Sequence, residues 1–305
     1  MNNKKNIKKR KHFLKLLNRF LKLYFNQNNQ TKELVKTDYN NISDFYDLYW
    51  TKHMNEISEK MIYSLKPENK SKCLDLTCGT GFVTSKIYDL TKGDVIGVDI
   101  SEGMIKKAKE KHKEKCRFIQ SDAIDFLRKQ PKESYDIITC AWGLGYLEIN
   151  KFLKEVKRVL KPNGKLGIID NSTFSNWEMI WFLILALSEK PDALKNMIKS
   201  HYILSNKTLS LRLRLNKIKV ISSWKGEKIF NLHSEEEVIN QFIRSGSAAG
   251  FLQTIDNKNK DEIINRAAEL LIKYKASKNM VPMVHRYIAV VGEKNEKQIR
   301  SYRIK

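Results

Sequence analysis

The sequence predicts an α/β fold: a doubly wound, mostly parallel sheet with helices on both faces. Short apolar segments typical of buried strands alternate with longer segments in which apolar residues recur every three or four positions. Strands that alternate with helices in this way lie parallel in one sheet. The composition, 41% apolar and 10% aromatic over 305 residues, suits one large core with appendages. The predicted strands are 71–77, 93–100, 116–122, 134–142 and 164–170, and the predicted helices between them are 82–91, 102–115, 123–130 and 149–161.

The helix at 102–115 has the clearest start. Ser101 stands before its first turn as an N-cap, and Met104, Ile105 and Ala108 share one face. We therefore expect this face to pack on the sheet.

The second half of the chain leaves the alternation and then returns to it. Residues 177–187, WEMIWFLILAL, are apolar but shorter than the about 20 residues that span a bilayer, so they predict a buried or lid helix. The segment 209–220, LSLRLRLNKIKV, alternates apolar and polar residues, which predicts a strand with one wet face. A Ser-x-x-Glu capping box opens a predicted helix over 234–251. A further helix at 260–276 precedes a strand at 285–293.

Positive charge is concentrated at the N-terminus. The net charge is +23, and residues 1–36 hold 11 Lys and Arg against one Glu. On a helix, the apolar residues of this segment form one stripe, and Lys15, Arg19 and Lys22 fall outside it. Such a helix suits an anionic membrane surface, contacted through residues 1–27; a helix docked on the body and a flexible tail are the alternatives. The stripe consists of Phe13, Leu17, Phe20, Leu21 and Tyr24.

The four cysteines have no paired spacing, and the chain does not open with a signal-peptide pattern. We therefore expect a cytoplasmic protein with reduced thiols and no metal site.

A glycine-rich turn follows the first predicted strand. In CLDLTCGTGFV, Asp75 precedes Gly79 and Gly81, which open a helix at the carboxyl edge of the sheet. Glycine there lets a ligand approach the backbone. Asp99 ends the second strand, where a carboxylate accepts hydrogen bonds from ribose hydroxyls, and Asp122 ends the third. Acids at three successive strand ends predict one ligand site along this edge.

Five motifs in this order carry a family resemblance: LDLTCGTG, GVDIS, SDAIDF, YDIIT and FLKEVKRVLKPNGKLGIID. They are similar to those of class I S-adenosylmethionine-dependent methyltransferases, in particular the small-molecule branch with the ubiquinone and menaquinone C-methyltransferases. The resemblance covers roughly 40–170, 228–256 and 284–293. It implies a Rossmann-like sheet of seven strands with an antiparallel last strand, and S-adenosylmethionine as the cofactor.

The resemblance also implies cofactor contacts. Asp75, Gly79 and Gly81 would shape the loop around the methionine part, and Asp99 would hold the ribose. Thr77 stands where the family has the first glycine of its acidic-x-Gly-x-Gly-x-Gly pattern. The other implied contacts are Ile100 or Met104 on the adenine face, Asp122 with Ala123 at the adenine edge, and Ala141 in the loop after the fourth strand.

A nicotinamide-binding dehydrogenase is the competing interpretation of the same turn. It favours G-x-G-x-x-G, whereas Thr84 stands where the third glycine would be. Asp75 also suits an ammonium group better than a pyrophosphate, because like charges repel. Both observations favour the methyltransferase.

The loop AWGLGYLE after the fourth strand faces the transferred methyl group in the family. Trp142 and Tyr146 are therefore the predicted lining residues, with ordinary packing as the alternative. The main catalytic task is to align nucleophile, methyl and sulfur in a dry pocket. If the nucleophile must lose a proton, His233, His201 and His285 are candidate bases.

The aromatic and aliphatic residues of 171–228 predict a roof over an apolar cavity, and hence a hydrophobic small-molecule acceptor; an ordinary subdomain core is the alternative. The loop TCAWGLGY lacks the proline-containing turns of nucleic-acid methyltransferases. An RNA methyltransferase that uses the basic arm and a non-catalytic S-adenosylmethionine-binding regulator are the alternative functions. The predicted roof residues are Trp177, Trp181, Phe182, Leu183 and Leu185.

These predictions divide the chain into four parts, with cytoplasmic location and membrane association through the first. They are a basic amphipathic extension (1–36), the first part of the methyltransferase core (37–170), an inserted α+β lid or substrate subdomain (171–228), and the closing part of the core with the tail (229–305).

Overall fold

A computed structural model describes residues 2–26, 30–277 and 280–295. Residues 1 and 27–29 of the predicted extension and residues 296–305 of the predicted tail lie outside these ranges. The strands of the described residues are β1 (Cys73–Leu76), β2 (Val95–Asp99), β3 (Arg117–Gln120), β4 (Tyr135–Ala141), β5 (Leu160–Asn171), β6 (Ile218–Leu232) and β7 (Val281–Lys294).

The seven strands form one sheet in the order β3-β2-β1-β4-β5-β7-β6. The pairs among β1 to β5 are parallel, and β7 is antiparallel to both of its neighbours. The predicted sheet, mostly parallel with an antiparallel last strand, is confirmed. All five parallel strands therefore end at the same edge, which is where the predicted acids lie.

Helices cover both faces of the sheet. The α-helices of the described residues are α1 (Asn2–Asn26), α2 (Thr31–Ile42), α3 (Lys52–Ser64), α4 (Phe82–Thr91), α5 (Glu102–His112), α6 (Ala123–Lys129), α7 (Ile149–Val159), α8 (Trp177–Glu189), α9 (Asn206–Leu215), α10 (Glu235–Arg244) and α11 (Asn257–Lys275). One face of the sheet packs against α3, α4 and α5, and the other against α6, α7 and α9.

The start of α5 is as predicted. The Ser101 hydroxyl accepts a hydrogen bond from the Met104 backbone N–H at 3.1 Å, and Met104, Ile105 and Ala108 are buried. This cap fixes the turn between β2 and α5, which borders the predicted site.

A second hydrophobic core lies beyond the carboxyl edge of the sheet. It joins α8, α10 and α11 with the ends of β6 and β7 that extend past β5, and Leu16 of α1 packs into it. We call these helices the cap. The helix predicted at 177–187 belongs to it, together with the helices that were assigned to the closing part of the core. No helix among the described ranges is long and apolar enough to cross a membrane.

The strand predicted at 209–220 is wrong in its first half. Residues Asn206–Leu215 form a helix whose N-cap is Ser205, and the strand begins only at Ile218. Leucines at every second position also include pairs four apart, so Leu209 and Leu213 are buried on one helix face while Leu211 and Leu215 are exposed. Residues 218–228, assigned to the insertion, consequently lie in β6 of the main sheet.

The helix predicted over 234–251 ends earlier, at Arg244. Gly246 and Gly250 follow with φ values of +75° and +81°, which the helix cannot include. Its predicted capping box is present: the Ser234 hydroxyl accepts from the Glu237 N–H at 3.1 Å.

Candidate functional site

The loop between β1 and α4 passes through left-handed backbone at three positions. Gly79 and Gly81 have φ values of +54° and +88°, and Thr77 has +58°. Glycine adopts this conformation readily, whereas a β-branched residue is strained there. Thr77 therefore takes the backbone conformation suited to the glycine that it replaces. Its side chain fills the gap up to Gly143 in the loop after β4, where an added Cβ would lie 2.5 Å from the Thr77 Cβ.

Asp99 at the end of β2 joins this loop to the start of α5. Its two carboxylate oxygens accept hydrogen bonds from the backbone N–H groups of Gly79 and Ser101, each at 2.9 Å. Burial raises the pKa of Asp99, and these backbone donors act in the opposite direction. Each oxygen keeps a second lone pair, so the carboxylate remains able to accept from a ligand.

Asp122 at the end of β3 is the N-cap of α6 and also an ion-pair partner. One oxygen accepts from the Ile124 and Asp125 N–H groups at 2.9 and 3.0 Å, and the other lies 2.6 Å from the Lys32 ammonium of α2. Burial alone would raise the pKa of Asp122, but the Lys32 ammonium and the helix N–H groups outweigh it and lower the pKa. This carboxylate is therefore held ionised.

Asp75 lies inside the protein rather than at the main cleft. It is fully buried, and its carboxylate accepts hydrogen bonds from the hydroxyls of Thr84 and Thr139 at 2.6 and 2.7 Å. Burial raises its pKa to about 7, although both hydroxyls oppose the change. Asp75 shapes the loop by tying β1 to β4 and α4, and it lines only a smaller cavity of about 400 Å³ next to the main cleft.

The main cleft encloses about 700 Å³, part of it open to solvent, along the carboxyl edge of β1, β2, β3 and β4. The structure brings most of the predicted site residues together in its wall. These are Thr77, Gly79, Asp99, Ile100, Met104, Asp122, Ala123, Ala141, Trp142 and Tyr146.

Two other predicted residues do not line this cleft. Gly81 shapes the turn as the left-handed N-cap of α4, and a side chain there would meet Phe118 at 3.0 Å. His233 is exposed at the start of α10, where its backbone N–H donates to the Glu237 carboxylate, and it lines neither cavity. His233 therefore lies away from both cavities, beside the capping box of α10, and its role as a catalytic base stays a prediction.

The five residues predicted to form a roof over the cleft do not cover it. Phe182 and Leu183 are buried in the separate core of the cap, while Trp177 and Trp181 are 46% and 38% exposed on the surface. None of the five predicted roof residues lines the main cleft. Helix α2 covers it instead, through Lys32, Val35 and Tyr39, together with Tyr46 just beyond that helix.

Asn40 is one of the residues that hold helix α2 over the cleft. The Asn40 side-chain oxygen accepts from the Ser101 hydroxyl at 2.7 Å and from the Gly103 N–H at 3.0 Å. The amphipathic pattern of helix α2 indicates in the sequence that one face is buried, but this pattern does not specify that the face covers a ligand cleft.

Three tyrosines form a contiguous row beside the cleft, and two of them, Tyr39 and Tyr146, line it. Tyr202, in the segment that follows α8, donates its hydroxyl to Tyr146 at 3.3 Å, and the Tyr146 ring meets the Tyr39 ring edge to face, with centroids 6.1 Å apart. Burial raises the pKa of both Tyr146 and Tyr39 well above 10, so these phenols stay protonated. They can donate hydrogen bonds to an acceptor molecule, and they do not act as bases near neutral pH.

Asp170 at the end of β5 is a fourth strand-end acid that the sequence reasoning missed. It is buried, and it accepts from the Gly145 and Asn171 N–H groups at 2.8 and 2.6 Å. Burial raises its pKa to about 6. On the other side of this loop, the His201 N–H donates to the Gly145 carbonyl at 2.6 Å. Hydrogen bonds from both sides thus hold the loop after β4. The sequence does contain a signal for Asp170, since an acid ends the predicted strand GKLGIID.

His285 lies behind the aromatic wall. It is fully buried between Trp50 and Trp142, with ring centroids 4.8 and 5.9 Å away, and neither ring nitrogen has a hydrogen-bond partner among the described residues. Burial lowers its pKa to about 3. The third candidate, His201, is exposed.

The four cysteines are buried and unpaired. Burial raises the pKa of Cys73 and of Cys116 to about 12, which makes both thiols poor nucleophiles and poor metal ligands.

The cleft residues fit S-adenosylmethionine. Asp99 keeps acceptor capacity for a ribose diol, and the apolar Met104 side chain suits a purine face. Gly79 leaves its backbone uncovered beside Asp99. The rings of Tyr46 and Trp142 in the same wall suit a sulfonium, because aromatic faces attract cations.

Comparison with known proteins agrees with this fit. Residues 73–164 match the family described as methyltransferase domain. The chain is 32% identical over 163 residues to a demethylmenaquinone methyltransferase of Staphylococcus haemolyticus, covering 48% of this chain and 64% of that protein. It is 31% identical over 161 residues to the ubiquinone/menaquinone biosynthesis C-methyltransferase UbiE of a Shewanella species, covering 46% and 60%. The chain thus spans less than two thirds of the length of these curated relatives.

A solved structure has a similar fold. The YcgJ protein of Bacillus subtilis aligns with a TM-score of 0.54 at 19% identity, covering 79% of this chain and 99% of that one. This likeness supports the fold alone. Residues 73–164 therefore match a methyltransferase domain, and the chain is similar in sequence to quinone methyltransferases of the small-molecule branch.

Proposed function

We propose that the protein transfers the methyl group of S-adenosylmethionine to a hydrophobic small molecule. The observation that carries this proposal is a single cleft with two unlike walls. The carboxylates of Asp99 and Asp122 with the Gly79 backbone suit the adenosyl group, and a wall of Tyr39 and Tyr146 suits an apolar ring. When bound, the cofactor supplies an activated methyl group, so the chain needs only to bind, orient and exclude water.

The tyrosine row supports an acceptor that carries oxygen. Protonated Tyr39 and Tyr146 donate hydrogen bonds, which favour the ionised form of a ring hydroxyl. In that form the neighbouring ring carbon is a better nucleophile than in the neutral ring. A quinol-type ring of the kind named in the relatives fits this chemistry. The proton of the acceptor would pass to solvent, since the buried histidine and the tyrosines are poor bases.

We place this activity in the cytoplasm, with access to an anionic membrane surface through the basic segment 1–27. The unpaired cysteines and the positive charge of the segment support this location.

The test combines binding with transfer. Titration calorimetry should show S-adenosylmethionine binding that Asp99→Ala weakens by about 100-fold, because a carboxylate that accepts charge-assisted hydrogen bonds is lost. Asp94→Ala is the matched control: Asp94 is exposed at the opposite end of β2, where it pairs with Arg117. With labelled methyl groups, a lipid extract should gain label and an RNA extract should not.

Other outcomes identify the alternatives. Label in the RNA fraction would indicate an RNA methyltransferase, and cofactor binding without transfer to either extract would indicate a regulator. Absence of binding would refute the proposal.

A further inference from the structure

Helix α1 presents an uncovered apolar face, and we propose that this face binds an anionic phospholipid bilayer and places the mouth of the cleft against it. Delivery of a membrane-dissolved acceptor rests on the proposed methyl transfer, whereas the bilayer contact itself does not.

The face of α1 that points away from the exposed stripe contacts the rest of the protein. Leu16 is buried in the core of the cap and Leu23 packs against it. The Lys15 ammonium lies 2.5 Å from the Asp192 carboxylate, and Arg19 donates to the Leu194 carbonyl. The helix is therefore docked, and its outward side chains have a fixed orientation. The outward stripe is Phe13, Leu17, Phe20, Leu21 and Tyr24, each between 39% and 45% exposed.

The apolar surface continues onto α8. Phe13 and Leu14 share a groove with Trp181, and Trp177 stacks on Trp181 with ring centroids 6.0 Å apart. Both tryptophans are more than a third exposed. Exposed tryptophans are favoured where a protein meets the headgroup region of a bilayer. The two predicted roof residues therefore have a place on this surface.

The positive charge of the N-terminal segment indicates that the apolar face binds an anionic bilayer. Residues 1–36 carry 11 basic residues against one acidic residue. Arg10, Lys11 and Lys22 are exposed on the same helix as the apolar stripe. Basic side chains beside an apolar helix face complement anionic headgroups over acyl chains. A protein partner would require acidic groups around an apolar groove, and a second copy of this basic helix would be repelled.

The end of α1 lies close to the cleft. The Lys199 ammonium lies 5.0 Å from the centre of the Tyr24 ring, and the Lys199 backbone N–H donates to the Thr31 hydroxyl at 2.8 Å. The next residue, Lys32, lines the cleft. A bilayer that contacts Tyr24 would thus lie beside the opening, which suits an apolar acceptor that partitions into lipid.

Co-sedimentation of the full chain with vesicles tests the proposal. Vesicles of phosphatidylcholine with phosphatidylglycerol should pellet the protein, and phosphatidylcholine alone should pellet much less. The double variant Leu17→Ser/Phe20→Ser should bind the mixed vesicles about tenfold or more weakly, because two inserting side chains are lost. The matched control is Leu215→Ser/Ile229→Ser, which changes two side chains that are 73% and 59% exposed elsewhere. It should bind as the wild type does.

Three results would overturn the proposal. The first is that the stripe variant binds the mixed vesicles as tightly as the wild type does. The second is that, without lipid, the wild type is a dimer and the stripe variant is a monomer. The third is that the wild type binds RNA more tightly than mixed vesicles. Calorimetry with S-adenosylmethionine should give the same affinity for the wild type and both double variants. A chain that binds vesicles but not the cofactor would refute the proposed function and leave the bilayer contact standing.

Discussion

The contact between Thr77 and Gly143 gives a sharp test of how the cleft is closed. These residues belong to the loops after β1 and β4, which meet beside the proposed site of methyl transfer. A Cβ built on Gly143 would lie 2.5, 2.6 and 2.7 Å from the Cβ, Oγ1 and Cγ2 atoms of Thr77. Carbon atoms in contact normally lie about 3.5–4.0 Å apart, so Gly143→Ala forces one loop to move by about 1 Å.

The size of the effect follows from that overlap. Overpacking of this kind typically costs about 1–3 kcal/mol, and we expect Gly143→Ala to lower the free energy of unfolding by about 2 kcal/mol. Thr77→Gly alone should have a small effect, since it relieves a strain of about 1–2 kcal/mol and adds a similar amount of unfolded-state entropy. In the double variant the three clashing atoms are gone, so the two changes should couple favourably by about 1.5 kcal/mol.

Urea unfolding of the wild type, both single variants and the double variant measures this coupling. The matched control is Gly145→Ala in the same loop, whose added Cβ meets the Tyr202 ring at 2.6 Å instead. Thr77→Gly should not rescue Gly145→Ala. If the Thr77 and Gly143 changes add independently, the two loops are not in contact and the description of the cleft is wrong.

Three further variants test buried groups of the site. In the folded state the pKa of Asp75 is about 7, above its ordinary 3.8, so the contribution of Asp75 to stability falls as pH rises from 3.8 to 7. The free energy of unfolding of Asp75→Asn, measured in urea, should therefore rise relative to that of the wild type by up to about 4 kcal/mol between pH 4 and 7. Ser58→Ala removes the acceptor of the buried Trp142 indole N–H, 2.9 Å away, and should cost about 1–3 kcal/mol, whereas Ser64→Ala on the same helix should cost little. Tyr146→Phe should leave cofactor affinity within about twofold in calorimetry and slow labelled-methyl transfer about tenfold, because a donor to the acceptor oxygen is lost; an unchanged rate would exclude Tyr146 from the acceptor site.

The residues that the sequence could place are those fixed by local pattern and strand direction. Asp99 and Asp122 each stand at the end of a predicted strand and Gly79 just after one, and parallel strands bring such positions to one edge. Thr77 was recognised only as a departure from a glycine pattern. Its strained backbone and its contact with Gly143 depend on how two loops meet, which no local pattern contains.

The residues that the sequence could not place come to the cleft by helix docking. Lys32 and Tyr39 reach it because Asn40 bonds to Ser101 and Gly103, more than sixty positions away. An amphipathic pattern specifies a buried face but not its partner. The roof prediction failed for the same reason: the apolar run of α8 found its partner in α11, within a core of its own.

His285 shows how a buried histidine can be structural without being catalytic. Both of its ring nitrogens lack hydrogen-bond partners among the described residues, so His285→Phe should stabilise the protein by about 1–2 kcal/mol at pH 7.5. The pKa of His285 is lowered to about 3, so the folded state excludes a proton that the unfolded chain binds below its ordinary 6.5. Its stability contribution is present above that value and is lost as pH falls, and the advantage of the variant should therefore grow by about 2 kcal/mol between pH 7.5 and 5. At pH 7.5, His285→Gln, which keeps polar atoms in the same place, should show no such stabilisation in urea unfolding; it should share only the growth between pH 7.5 and 5, since it also lacks the titrating imidazole. Loss of methyl transfer in His285→Phe, with the cofactor still bound, would contradict this reasoning and make the imidazole a proton acceptor.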